Sequence, residues 1–280
     1  MIAEFVYIMM GVLYGKTTAL VKVIVVLTFM TMLIVNVLAN ILPINEVTTG
    51  QVSDSFPNLF APAGLTFSIW GLIYLLLAGY TLYHVGLFRN NTKKSKTELF
   101  NKIGILFSVS SIANATWVFS WHYYKIPLTM LLIVVILICL ILINRLTTNK
   151  RFSTKDYLFI RLPFSVYFGW ITIATIANAN VLLVSIGWDW FGLSEVIWTV
   201  VILAVGLTIT TVTMIKNRDV AYGLVIIWAY AGILLKHVSS EGFGTQYPVI
   251  IATTIISITL LLLAEAYILT SKKEEIVFNY

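Results

Sequence analysis

Residues 56–80 read FPNLFAPAGLTFSIWGLIYLLLAGY, a proline-bearing loop that runs straight into an apolar segment. Pro57 and Pro62 fit poorly inside a helix, whereas proline suits a first turn, where its missing N–H would have had no partner. A helix is therefore expected to begin near Pro62 or Ala63. From there Phe67, Trp70, Gly71 and Tyr74 recur at spacings of three, four and seven, so they share one stripe of a 3.6-residue helix, which Ala78 continues a turn later. At a rise of ~1.5 Å per residue, Trp70 lies roughly 10 Å below the helix start, deeper than an interfacial tryptophan usually sits.

Composition sets the surroundings of this helix. Of the 280 residues, 59% are hydrophobic and 11% charged, and the mean hydropathy is +0.94. A soluble domain could not hide so many uninterrupted apolar segments of about 20 residues, so the bilayer has to act as the solvent. The fold class expected is all-α, a polytopic membrane helix bundle. The net charge of +6 does not point to nucleic acid as a partner, because the basic residues sit in short loops between apolar segments. The single cysteine, Cys139, lies in an apolar run and excludes an intrachain disulfide.

Working outward, residues 1–15 are apolar but too short to span, and with the rest of 1–22 they are read as an interfacial extension. The first span runs from about Val23 to Leu42 and carries Asn36 and Asn40 on one face; polar side chains in a span usually face other helices. The third, about Ile103 to Tyr123, places Ser110, Asn114, Trp117 and Trp121 on a single stripe. The fourth, Pro127 to about Leu146, is nearly all aliphatic. The fifth contains Trp170-Ile-Thr-Ile-Ala174-Thr-Ile-Ala-Asn178, whose Trp, Ala and Asn at spacings of four and eight share a face. Three more apolar spans follow, at roughly Ser194 to Ile215, Val220 to Leu235 and Pro248 to Leu269.

Three of these stretches resemble one family. Pro62 through Tyr74 resembles the second-helix signature of the TspO/MBR family, the translocator proteins or tryptophan-rich sensory proteins, which opens with proline and carries Phe, Trp and Tyr at these intervals. Asn114 followed by Trp117 is similar to its third-helix pattern, and Trp170, Ala174 and Asn178 match its fifth helix. One departure lies upstream of Trp170, where the family has Pro-Tyr and this chain has Val166 and Tyr167, with its proline displaced to Pro163. The resemblance implies a five-helix core over residues 23–190. Residues 191–280 are then three additional transmembrane helices and a tail, for which the resemblance supplies no role.

Sixteen of the eighteen Lys and Arg residues fall on one side of an eight-span chain, against Lys125 and Lys236 on the other, which predicts both termini cytoplasmic in a multi-pass protein of the cell membrane. Trp121, Trp188, Trp190 and Trp198 are then expected at the outer interface as an aromatic belt. His84, His122 and His237 stand apart near helix ends and are read as interfacial. Glu265, inside an apolar segment near the cytoplasmic end, is expected to snorkel or to pair with Lys272 or Lys273. The loop from Pro43 to Ala61 is long for a helix connection and is expected to fold over the outer mouth of a pocket.

No Walker loop, HExxH motif, nucleophile elbow or Cys/His cluster occurs, so the chain is not read as an enzyme, and no motif calls for a cofactor or a metal. The buried aromatic stripes, each shared with a small or amide-bearing residue, suit a flat conjugated ligand, which needs aromatic faces to stack on and a few polar contacts at its edge. The expected ligand-binding residues are Phe67, Trp70, Tyr74, Asn114, Trp117, Trp170, Ala174 and Asn178. Trp198 and Trp228 are expected outside the site. The resemblance implies a porphyrin or other tetrapyrrole, ahead of a sterol-like lipid, bound for sensing, sequestration or transport. A secondary transporter or permease subunit and a porphyrin-modifying enzyme are the alternatives. A homodimer is left open, since small-residue pairs such as Gly11 and Gly15 are common by chance.

Overall fold

The computed structural model describes residues 18–42, 44–87, 94–148, 150 and 152–271. The expected interfacial extension over residues 1–15, Gly11, Gly15, Lys272 and Lys273 lie outside the described residues. Among the described residues there is no strand, and eight helices are long and apolar enough to cross a membrane. They are α1 (Thr18–Ile41), α2 (Ile69–Val85), α3 (Lys94–His122), α4 (Ile126–Thr147), α5 (Leu162–Ser185), α6 (Glu195–Asn217), α7 (Val220–Val238) and α8 (Pro248–Thr270).

Local chemistry sets several of these ends. Ser194 caps α6 by accepting from Ile197 N at 3.3 Å, and Asp219 caps α7 by accepting from Tyr222 N at 3.2 Å. Gly86 ends α2 in the left-handed region at φ 115°, a conformation open to a residue without Cβ. Pro248 sits in the first turn of α8.

One expectation about a helix start needs correction. The α-helix carrying Trp70 begins at Ile69, not at Pro62; Ala63 is extended, and a 3-10 turn over Gly64–Ser68 leads into it. The reason is a tertiary contact, because Ala63 N donates to Gly232 O on α7 at 3.0 Å, which holds the backbone extended at the point where an α-helix would otherwise start. In the fifth span, Thr154–Asp156 is followed by a π-helical turn, Tyr157–Arg161, before α5 proper. Pro163 has no N–H to offer to a carbonyl one turn back, and Leu162 N donates instead to Tyr157 O, five residues earlier.

Helices α1, α2, α5, α4 and α3 touch in that order around a ring, α3 closing it against α1. Within it α5 is the central element: Pro163 to Ile173 is buried without a break, because other helices cover it on several faces. Helix α7 packs on the outside of α5 and against the turn before α2, and α8 joins α7 to α6. Gly169 permits the α5–α7 approach, since a Cβ there would stand 2.8 Å from Tyr222 O.

All three histidines are buried rather than interfacial. His122 Nδ1 lies 2.7 Å from Val118 O and Asn45 Nδ2 donates to His122 O, so the loop after α1 covers it. His237 Nε2 donates to Leu59 O at 2.9 Å, and the ring packs against Phe243 and Tyr247. Tyr80 OH contacts His84 Nδ1 at 3.2 Å. Glu265 is also buried, with neither carboxylate oxygen bonded to a described residue, and it occupies the space a Cβ on Gly223 would need.

Candidate functional site

The ring, together with the segment before α2 and part of α7, lines a cavity of about 90 Å³. Seven of the eight expected ligand-binding residues line it: Phe67 and Trp70 from the start of the second span, Asn114 and Trp117 from α3, and Trp170, Ala174 and Asn178 from α5. Tyr74 does not. It lines an adjoining cleft of about 450 Å³, which opens between α1 and α2 beside Asn36 and Asn40 and shares Phe67, Trp70 and Trp117 with the inner cavity.

The aromatic residues fall into two groups of touching rings. Trp70 stacks on Tyr74 with centroids 5.4 Å apart and an interplanar angle of 17°, and meets Trp170 edge to face at 6.1 Å and 81°. Phe67 approaches Trp170 at 6.0 Å and 87°. On the opposite wall Trp117 stacks on Trp121 at 5.1 Å and 17°. These offset and T-shaped arrangements are the ones the ring quadrupole favours.

Polar groups around the cavity are largely tied to one another. Asn178 Oδ1 accepts from Trp117 Nε1 at 3.0 Å, and Asn178 Nδ2 donates to Thr129 Oγ1 at 3.0 Å. Asn36 Nδ2 donates to Asn114 Oδ1 at 2.7 Å, and Asn114 Nδ2 donates to Tyr167 OH at 3.4 Å. Asn114 and Asn178 each keep a second N–H and a second lone pair, whereas Asn36 Nδ2 also donates to Met32 O at 2.9 Å. Trp121 Nε1 donates to Thr49 O at 3.0 Å. The exception is Trp170, whose indole N–H is buried and has no partner among the described residues. A buried donor left without an acceptor costs about 1–3 kcal/mol, so such a group on a cavity wall is a point at which an acceptor on a ligand gains most.

Sequence reading missed some of the lining. Trp121, assigned to an outer belt, is buried on the cavity wall, and its place on the Ser110–Asn114–Trp117 stripe was the available signal. Trp188, Trp190 and Trp198 instead form their own aromatic cluster with Phe191. Ile133 and Ile136 of α4 contribute apolar wall from a helix with no stripe to single them out. Ala229 and Ile233 come from α7, beyond the expected five-helix core, and no pattern in the sequence marks them.

The segment between α1 and α2 supplies Thr49, Ser53, Asn58 and Ala61 to the wall. It carries a short helix, Thr49–Asp54, with a capping box in which Thr48 Oγ1 accepts from Gln51 N and Gln51 Oε1 accepts from Thr48 N at 2.7 Å. Its far end is gripped from the C-terminal half of the chain. Leu59 N donates to Glu195 Oε1 at 3.0 Å while Leu59 O accepts from His237, and Trp228 Nε1 donates to Thr66 O at 2.9 Å. Trp228 is therefore outside the cavity but braces the turn that carries Phe67.

Among the described residues no His, Cys, Asp or Glu cluster could hold a metal ion. No curated protein and no solved structure matches this chain. One family profile, that of the TSPO-like proteins, matches residues 22–267, a stretch that takes in all five helices of the ring and continues through α6 and α7 into α8. The chain belongs to the TSPO-like protein family.

Proposed function

We propose that this membrane protein binds a flat hydrophobic small molecule, a tetrapyrrole before a sterol-like lipid, between α1, α2, α3 and α5, for sensing, sequestration or transport. The observation that carries the reading is the Trp170 indole N–H, buried on the wall of an aromatic cavity with no partner among the described residues. A water takes up about 30 Å³ of liquid, so the inner cavity of about 90 Å³ is far too small for a macrocycle. The adjoining cleft of about 450 Å³ falls within the range of about 300–1,000 Å³ usual for ligand sites. The ligand therefore lies in the cleft against Trp70 and Tyr74 and reaches inward with one edge toward Trp170, Asn114 and Asn178. Full entry needs the segment 49–61 to lift, which makes that segment a lid.

In the same reading the ligand belongs to residues 23–190, and α6 and α7 brace the lid. The basic ends of the helices face the cytoplasm, which puts both termini inside and the lid outside. A reporter inserted near Thr49 should be external and one fused after Tyr280 cytoplasmic; finding both on one side would refute this orientation.

The binding test is a titration of the purified protein with a panel of porphyrins and sterols, followed by tryptophan fluorescence. Saturable quenching by a planar tetrapyrrole, weakened when Asn178 is changed to Leu and more so for porphyrins with polar substituents, is expected. Saturation by sterols alone would replace the ligand class, and saturation by neither would remove the proposal.

A further inference from the structure

At the end of the bundle away from the lid, where α4 and α6 finish, lies a second cleft of about 470 Å³. It exists because α5 packs closely against α4 and α7 but only sparingly against α6. Phe168 and Thr172 on α5 form its floor, and Tyr222 OH donates to Thr172 Oγ1 at 3.3 Å. Arg145, in the last turn of α4, stands on one lip, and Lys216, in the last turn of α6, stands on the other. Both are exposed.

No acidic residue is among the described residues lining this cleft. Three buried carboxylates lie near this end: Asp219 is engaged by Arg161 Nη2 at 2.8 Å and Ser165 Oγ at 2.6 Å, Asp156 by Tyr83 OH and Ser153 Oγ, and Glu265 lies against Gly223, outside the cleft lining. Arg161 in turn donates to Thr147 Oγ1 and Thr148 Oγ1 on the α4 side. Another cation at this end, Arg218, donates to the carbonyls of Ile268 and Ser271. Among the described residues, Arg145 and Lys216 are then the two cations lining the cleft, and no acid lines it with them. Helix C-termini ordinarily repel an anion, but carbonyls here are bonded: Asn144 O accepts from Thr148 N, Ile215 O from Arg218 N, and Met214 O from Asp219 N.

Away from the lips the walls become apolar. Leu137 precedes Arg145 by eight residues and Ile209 precedes Lys216 by seven, so the apolar wall extends roughly 10 Å along both helices toward the bilayer centre. A cationic rim above an apolar groove matches an amphipathic anion, and basic pockets between membrane helices suit anionic lipid headgroups. We propose that this cleft binds an anionic phospholipid from the adjacent leaflet, its phosphodiester between Arg145 and Lys216 and an acyl chain along Leu137, Ile141 and Val212.

Native mass spectrometry of the full chain, purified in neutral detergent and offered phosphatidylglycerol, phosphatidylcholine or inorganic phosphate, tests this. Phosphatidylglycerol should be retained over phosphatidylcholine, and inorganic phosphate in tenfold excess should not displace it. Exchanging both cations (R145Q with K216Q) should weaken phosphatidylglycerol retention on the order of 30-fold, about fivefold for each basic group near an anionic headgroup. The exchange R145K with K216R should keep it, and K125Q, at the opposite end, should change nothing. Ile209→Trp, a lipid-facing position on the groove wall, should reduce retention of the intact lipid. An unchanged lipid preference in the double glutamine variant, or displacement by inorganic phosphate, would overturn the proposal.

Discussion

The ring of α1 to α5 and the trio of α6 to α8 take part in the candidate site by different means. The ring contributes side chains: stacked indoles, asparagines in cross-helix hydrogen bonds, and an indole N–H with no partner among the described residues. The trio contributes mainly grip. Glu195 and His237 hold both backbone polar groups of Leu59, Gly232 O accepts from Ala63 N, and Trp228 reaches the carbonyl of Thr66. A cavity wall and the brace that shapes it can thus come from parts of the chain more than 130 residues apart.

The sharpest way to break the distinction is at Gly232, where a Cβ would collide with the Thr66 side chain. Gly232→Val should destabilise the protein by about 1–3 kcal/mol, the usual range for overpacking, and weaken ligand binding from outside the ring. Thr66→Ala in the same chain should restore part of the loss in thermal unfolding. Full stability in the single variant would show that α7 does not brace the α2 entry.

A change inside the ring should leave the fold and act on affinity. Aromatic contacts contribute about 0.5–1.5 kcal/mol beyond area burial. Trp170→Phe should therefore cost less than about tenfold in tetrapyrrole affinity and Trp170→Ala more. Trp198→Phe, within the separate cluster beside Trp188 and Trp190, should be neutral. Trp228→Phe should not serve as a second neutral control, because it removes the donor to Thr66 O.

The smallest expected effect belongs to Glu195→Ala, which deprives Leu59 N of its acceptor. Glu195 is half-buried, so the loss should be about 1 kcal/mol, seen as roughly fivefold faster hydrogen exchange at the Leu59 amide. A ligand held under the segment 49–61 should leave faster from this variant. An unchanged off-rate alongside faster exchange would separate loosening of the segment from ligand release.

These two regions were not equally legible in the sequence. The eight spans follow from apolar length alone, and the stripes through Phe67, Trp70 and Tyr74 and through Trp170, Ala174 and Asn178 follow from helical spacing, because a side chain's face is a local property. The brace is not local. Leu59 and Ala63 take part through backbone atoms, which every residue type carries, and their partners lie far along the chain. The histidines were misread for the same reason: His237 sits near a helix end by sequence, yet Leu59, Phe243 and Tyr247 from neighbouring segments cover it. Pro62 as a helix start was reasonable local chemistry overruled by the bond from Ala63 to α7.

The location of the ligand is tested most directly by photolabelling the full chain in bilayers with a diazirine-bearing porphyrin and mapping the modified peptides. Labels concentrated in 49–74, 114–121 and 167–178, and competed by unmodified porphyrin, are the predicted result. Competable labels confined to 195–217 or 248–270 would place the ligand outside the ring and contradict the account.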